Sequence, residues 1–228
     1  MISRPKGFQL REEEACMPVS GVLGRLLEYW HTLPREAGAA MPRKCVLHPT
    51  DLHELLPRIS LMKRIDRYDV QVSMIGTSQD ALWQAPMAGI NAFDLTTPNM
   101  RENTARLYEA ILDQPSGVQM QETVRRRTGD SAEVESLYLP LADDDGTPTF
   151  IIGCSVYLKQ PRYGRINDRL MLDHQKVSNL EFLDLGRGKP LVTFEKPAPR
   201  PRPEPETRWW DRFMPSRPRP GSDEYLDA

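Results

Sequence analysis

Three stretches of alternating residues, close together in the chain, constrain its fold more than any other feature. Val118 to Arg127 places Val118, Met120 and Val124 on one side, and a second stretch runs from Ala132 to Leu141. The third, Phe150 to Leu158, sets Phe150, Ile152, Cys154, Val156 and Leu158 on one side. A period of two belongs to a strand that buries one face. Gly129-Asp130 and Asp145-Gly146 separate the stretches, and such pairs mark tight hairpins. The three therefore predict an antiparallel meander.

An earlier pair of strands precedes them. Ile59, Leu61 and Lys63-Ile65 form one short strand, and Tyr68 to Ile75 alternates, with Val70, Val72 and Met74 on one side. Asp66-Arg67 supplies the corner between the two. Helical spacing appears elsewhere. Val22, Leu23, Leu26, Leu27 and Trp30 share one helix face, with Ser20 as N-cap and Pro34 as the stop. Thr50-Asp51 caps a short helix with Leu52, Leu55 and Leu56, and Ser78 to Trp83 forms a helical turn or two. Thr97-Pro98 opens a longer helix carrying Met100, Thr104, Leu107, Tyr108 and Ile111 to about Asp113. The order is two strands, a helical middle, then three strands. It predicts an α+β fold, a five-stranded antiparallel sheet with helices over one face and an N-terminal amphipathic helix.

The ends differ in character from this core. Residues 1–19 are polar and aperiodic and read as a flexible N-terminus; residues 20–158 hold the domain. Residues 159–196 read as an appended arm, with Leu191 to Phe194 as a short extra strand, and 197–228 as a disordered tail rich in Pro and Arg. With 228 residues, one domain of this size buries a sufficient core. A net charge of −2 argues against a dedicated nucleic-acid binder. Cys16, Cys45 and Cys154 form no CxxC pair and point to a reducing compartment, the cytoplasm. No run of about 18 apolar residues predicts a membrane span, and residues 1–16 lack a signal-peptide core.

Short matches give this pattern a family. Tyr29-Trp30, Pro42-Arg43, His48-Pro49 with Leu52, and Leu55-Leu56-Pro57-Arg58-Ile59 occur in order. They are followed by Ile75-Gly76-Thr77, Gly89, Tyr138-Leu139-Pro140-Leu141, Asp145-Gly146 and Ile151-Ile152-Gly153. In order and spacing the chain resembles a bacterial family of stand-alone PAS-domain proteins, formerly a domain of unknown function. The family usually has a glycine near Gln84-Ala85 that this chain lacks. The resemblance implies a PAS fold and a sensory or protein-interaction module in bacterial signalling, often dimeric through its N-terminal helix; it supplies no catalytic motif and fixes no ligand.

Haem needs a placed axial ligand, and residues 98–117 contain no histidine; flavin photochemistry needs a cysteine that the helical middle lacks. No cofactor is therefore expected. His48 and His53 are spaced wrongly for a helical metal pair, so no metal is expected either. Asp143-Asp144-Asp145-Gly146 lacks the ligands of a calcium loop and reads as a hairpin turn. Gly186-Arg187-Gly188-Lys189 is followed by Pro190 and fails the phosphate-loop pattern. Arg125-Arg126-Arg127 reads as a charged strand end that discourages edge pairing. No nucleophile or acid–base set appears, so the protein is expected not to be an enzyme.

Three candidate surfaces remain. The stripe of Val22, Leu23, Leu26, Leu27 and Trp30 must pack on the domain or on a second copy, and is the expected homodimer interface. Trp209, Trp210 and Phe213, set among arginines, are the expected docking motif for a signalling partner. A ligand cavity between sheet and helices would be lined by Val72, Met74, Trp83, Phe93, Leu107, Ile111, Tyr138, Phe150 and Ile152. The expected function is protein–protein interaction in bacterial cytoplasmic signalling, with a small-molecule sensor as the alternative.

Overall fold

The computed structural model describes residue 19 and residues 21–79, 87–126, 131–159 and 172–195. The expected flexible N-terminus up to residue 18, Trp83, the Gly129-Asp130 turn, residues 160–171 of the arm, and Trp209, Trp210 and Phe213 lie outside the described residues.

Helix α1 spans Gly21–Thr32 and α2 spans Arg101–Asp113, the latter led in by a single tight turn at Pro98–Met100. Six strands form one sheet: β1 Ile59–Asp66, β2 Asp69–Ile75, β3 Ser116–Arg126, β4 Ser131–Ala142, β5 Pro148–Lys159 and β6 Leu172–Asp184. Every pairing is antiparallel, and the order across the sheet is β2-β1-β5-β4-β3-β6. The first hairpin thus joins the meander through β1 and β5, the two ends of the sequence pattern. At the β4–β5 turn Gly146 has φ of 87°, a conformation other residues adopt at a cost.

Two features depart from expectation. The sheet has a sixth strand, contributed by the arm, whereas Leu191 to Phe194 form no strand. The sixth was hidden by a bulge: Gln121 faces Asn179 but Glu122 faces Val177, so Ser178 is the extra residue. Val177, Leu180 and Phe182 then share a face although Val177 and Leu180 lie three residues apart, which erases the period of two.

The helices also lie on both faces of the sheet, not one. Residues 150, 152 and 154 of β5 pack with Leu23, Leu26 and Trp30 of α1, together with Leu137, Leu139 and Leu141 of β4. Ile151, on the opposite side of the same strand, packs with Leu107, Ile111 and Leu112 of α2, and with Met62, Val70, Val72, Val118 and Met120. The α1 stripe is therefore consumed inside the domain. Leu26 is fully buried and Trp30 nearly so, and the Trp30 indole Nε1 donates to the Pro140 carbonyl at 2.8 Å. That bond has a local reason. The β3–β4 ladder ends at Val118 and Tyr138, so Pro140 lies past it and forfeits no pairing on that side. The indole satisfies a carbonyl that the ladder does not.

The exposed edge of β2 is covered as well. Val72 N–H donates to the Ile90 carbonyl at 2.9 Å and Gly89 N–H to the Val72 carbonyl at 2.7 Å.

Candidate functional site on the inner face of the sheet

The face beneath α2 should be apolar throughout if it served only as core. It is not. Pairing register places Glu122 of β3, Ser136 and Tyr138 of β4, Gly153 and Ser155 of β5 and Gln175 of β6 on this one face. Ser136 pairs with Ser155 directly, and their hydroxyls are 2.8 Å apart. The Tyr138 phenol lies beside both serines, and against the rise that burial causes their hydroxyls lower its pKa. Gln175 Nε2 donates to a Glu122 carboxylate oxygen at 2.8 Å, and Gln175 Oε1 is buried without a partner. From above, α2 lowers Tyr108, whose hydroxyl is 3.9 Å from the Met62 sulfur.

Gly153 makes room for the phenol. A Cβ at residue 153 would sit 2.6 Å from Ser60 Oγ and 2.8 Å from two ring carbons of Tyr138. The ring occupies the space that a side chain at residue 153 would need, which gives the glycine of Ile151-Ile152-Gly153 a steric cause. Glu122, Tyr138, Ser155 and Gln175 all retain partial exposure, while Ser136 is buried.

Electrostatics set the protonation of these groups. Burial pushes the Glu122 carboxyl above the usual range, against the opposing bond from Gln175. Burial, then the nearby Glu122 carboxylate, pushes the Tyr138 phenol up to about 12. Burial likewise raises Tyr108. Two phenols that stay protonated and a carboxyl that readily takes a proton make a set of hydrogen-bond donors and acceptors. Nothing in the set is a nucleophile activated by a base.

The nine residues expected to line a cavity are only partly brought together. Val72, Phe93, Leu107, Ile111 and Tyr138 meet on this face. Phe150 and Ile152 face α1 instead, because residues of even number on β5 point to the other side. Met74 is displaced by a bulge at Ser73: Leu61 pairs with Met74 but Met62 pairs with Val72, which turns Met74 to the α1 side, where it is exposed. The sequence reading missed Glu122, Ser136, Ser155 and Gln175. Their signal was polar residues at inward positions, above all Glu122 between Met120 and Val124.

The other candidates resolve into turns and packing. Asp143 accepts from the N–H groups of Asp145 and Thr147 and from the Thr149 hydroxyl. Asp184 accepts from the N–H groups of Gly186, Arg187 and Gly188. A His53 ring nitrogen is 3.1 Å from the Thr50 carbonyl. Cys154 lies buried on the α1 side, where burial pushes its thiol up to about 12. Among the described residues no group of His, Cys, Asp and Glu is arranged to hold a metal ion.

With this geometry in place, comparison with protein families is decisive for one point. Residues 20–156 match the family described as PAS domain. The chain belongs to the PAS-domain family. PAS domains are signalling modules, in general without catalytic activity. Curated proteins give no match. Solved structures similar to this PAS protein include a light-oxygen-voltage domain studied with a flavin analogue, with TM-score 0.39 and 11% identity over 49% of this chain and 84% of that one. They also include the blue-light photoreceptor Vivid, with TM-score 0.39 and 14% identity over 60% and 95%. A third is the Vibrio cholerae VqmA dimer, with TM-score 0.38 and 15% identity over 48% of this chain and half of that one. No helix of the described residues is long and apolar enough to cross a membrane.

Proposed function

We propose that this PAS domain is a small-molecule sensor that takes its ligand between α2 and the inner face of the sheet. The observation that carries the reading is the polar cluster of Glu122, Tyr138, Ser136, Ser155 and Gln175 on a face that packing alone would keep apolar. Buried polar groups are expensive unless satisfied, and Gln175 Oε1 has no partner. A ligand with its own donors and acceptors supplies the missing bonds.

The residues favour a small, uncharged molecule. Tyr138 offers a donor, and Glu122 accepts or donates according to its proton. An anion would meet the Glu122 carboxylate and be repelled. Neither haem nor flavin enters the reading, because residues 98–117 carry no histidine and the helical middle carries no cysteine. The protein acts without catalysis, in the bacterial cytoplasm, and ligand occupancy shifts α2 between two packings on the sheet.

The interaction-adaptor reading has less support. Leu23, Leu26 and Trp30 are already buried against the protein's own sheet, so they are not free to form a homodimer face; Val22 and Leu27 are partly buried. A dimer, if it forms, uses another surface, and docking at Trp209, Trp210 and Phe213 belongs to this second reading.

A thermal-shift screen of small uncharged metabolites separates the two. The sensor reading expects compounds that raise Tm for the wild type and lose that effect in Tyr138→Phe and Glu122→Gln. Stabilisation that survives both substitutions places binding elsewhere and defeats the reading.

A further inference from the structure

After β6 the chain crosses back over α2, and the contact there is of an unusual kind. The Asn103 side-chain amide donates to the Glu195 carbonyl and accepts from the Glu195 N–H, both at 2.8 Å. One residue of extended backbone is thus paired by a side chain in the manner of a neighbouring strand, independently of the identity of residue 195. Arg106, one turn along the same helix, adds selectivity. Its guanidinium donates to the Thr193 carbonyl at 2.7 Å and to the Glu195 carboxylate at 2.6 Å. Glu102 accepts from Arg106 at 3.1 Å and so holds the guanidinium in place from the preceding turn. Between these polar anchors Phe194 stacks on Phe182 of β6, with rings 6.4 Å apart and 3° from parallel.

The segment held here is extended, with an aromatic residue followed by an acid. The hold is built to be given up. Residues 187–195 belong to no strand, Leu191 is fully exposed, and the Arg106–Glu195 pair leaves its two side chains 30% and 62% exposed. Exposed pairs of this kind contribute little, and segments fixed by a few side chains open far more readily than a sheet ladder. Asn103, by contrast, is buried with the segment in place.

We propose that Asn103, Arg106 and Phe182 form an exchangeable peptide-docking site. The chain's own Thr193-Phe194-Glu195 occupies it as an internal competitor, and a partner presenting an extended aromatic–acidic pair displaces it. The site lies where α2 meets β6, with Phe182 on the same face of the sheet as the polar cluster.

The test uses the full chain and a labelled peptide of residues 190–197, followed by fluorescence anisotropy. In Phe194→Ala/Glu195→Ala the internal segment keeps only its backbone bonds to Asn103 and Arg106, and to this vacated chain the peptide is expected to bind roughly tenfold or more tightly than to wild type, where the intact segment competes. Adding Asn103→Ala to the vacated chain should abolish binding. A charge-reversed pair, Arg106→Glu in the chain with arginine for glutamate in the peptide, restores binding even if loss of Phe194 disturbs local packing. Absence of binding to both the vacated chain and the charge-reversed pair, or binding indifferent to Asn103, overturns the proposal.

Discussion

Glu122 illustrates how a single inward-facing polar residue alters the properties of a sheet. Its carboxyl is held above the ordinary range by burial, while the same group in the unfolded chain titrates near ~4.3. Between those two values the native state keeps a proton that the unfolded state has released, so stability falls as pH rises through the window. Glu122→Gln removes the titration. Denaturant unfolding at a series of pH values should show a shallower pH dependence in the variant across that window, and an unchanged slope would mean that the carboxyl is not set by burial. Gly153 carries a second residue-level prediction. Gly153→Ala drives a methyl group into the Tyr138 ring and Ser60 Oγ, and overpacking of this sort typically costs about 1–3 kcal/mol. In a double-mutant cycle the cost of Gly153→Ala should be smaller in a Tyr138→Ala background, which removes the ring and leaves the Ser60 contact. An undiminished cost in that background would show that the ring is not what the glycine accommodates.

Among the elements, α1 was legible in position but not in partner. The spacing of Leu23, Leu26 and Trp30 says that one face is apolar; it does not say whether sheet or second protomer covers it. The structure gives the sheet. Leu26→Ala should therefore lower the unfolding free energy by about 2–5 kcal/mol, as for other fully buried leucines. Sedimentation velocity should report the same oligomeric state as wild type, and a shift in that state alone would return α1 to an interface. The strands of the meander and the first hairpin were readable because each alternates and is flanked by turn residues. β6 was not, since the bulge at Ser178 breaks its period. The bulge at Ser73 had the same effect on a smaller scale, misplacing Met74. The split of Phe150 and Ile152 from the inner site was, by contrast, implicit in the alternation itself, because one strand cannot send 150 and 152 to the same side as 151.

At the scale of the molecule, one sheet is shared by two layers with separate duties. The α1 side is mainly apolar, with Leu26, Leu137, Leu139, Leu141 and Ile152 almost wholly buried, although Gln119 is buried there too and bonds to Glu135. The α2 side combines an apolar rim with the polar cluster of Glu122, Ser136, Tyr138, Ser155 and Gln175, and that asymmetry gives the inner face its capacity to bind. Fold order in the sequence led to the PAS family, but the site needed register across β3, β4, β5 and β6, which no single strand reveals. The central claim is that the inner face holds a small molecule, and native mass spectrometry of the gently purified full-length protein tests it most directly. A small added mass on the wild type, lost in Glu122→Gln and Tyr138→Phe, is the expected result. A wild-type chain at its bare sequence mass, or an added mass equally retained by both variants, would contradict it.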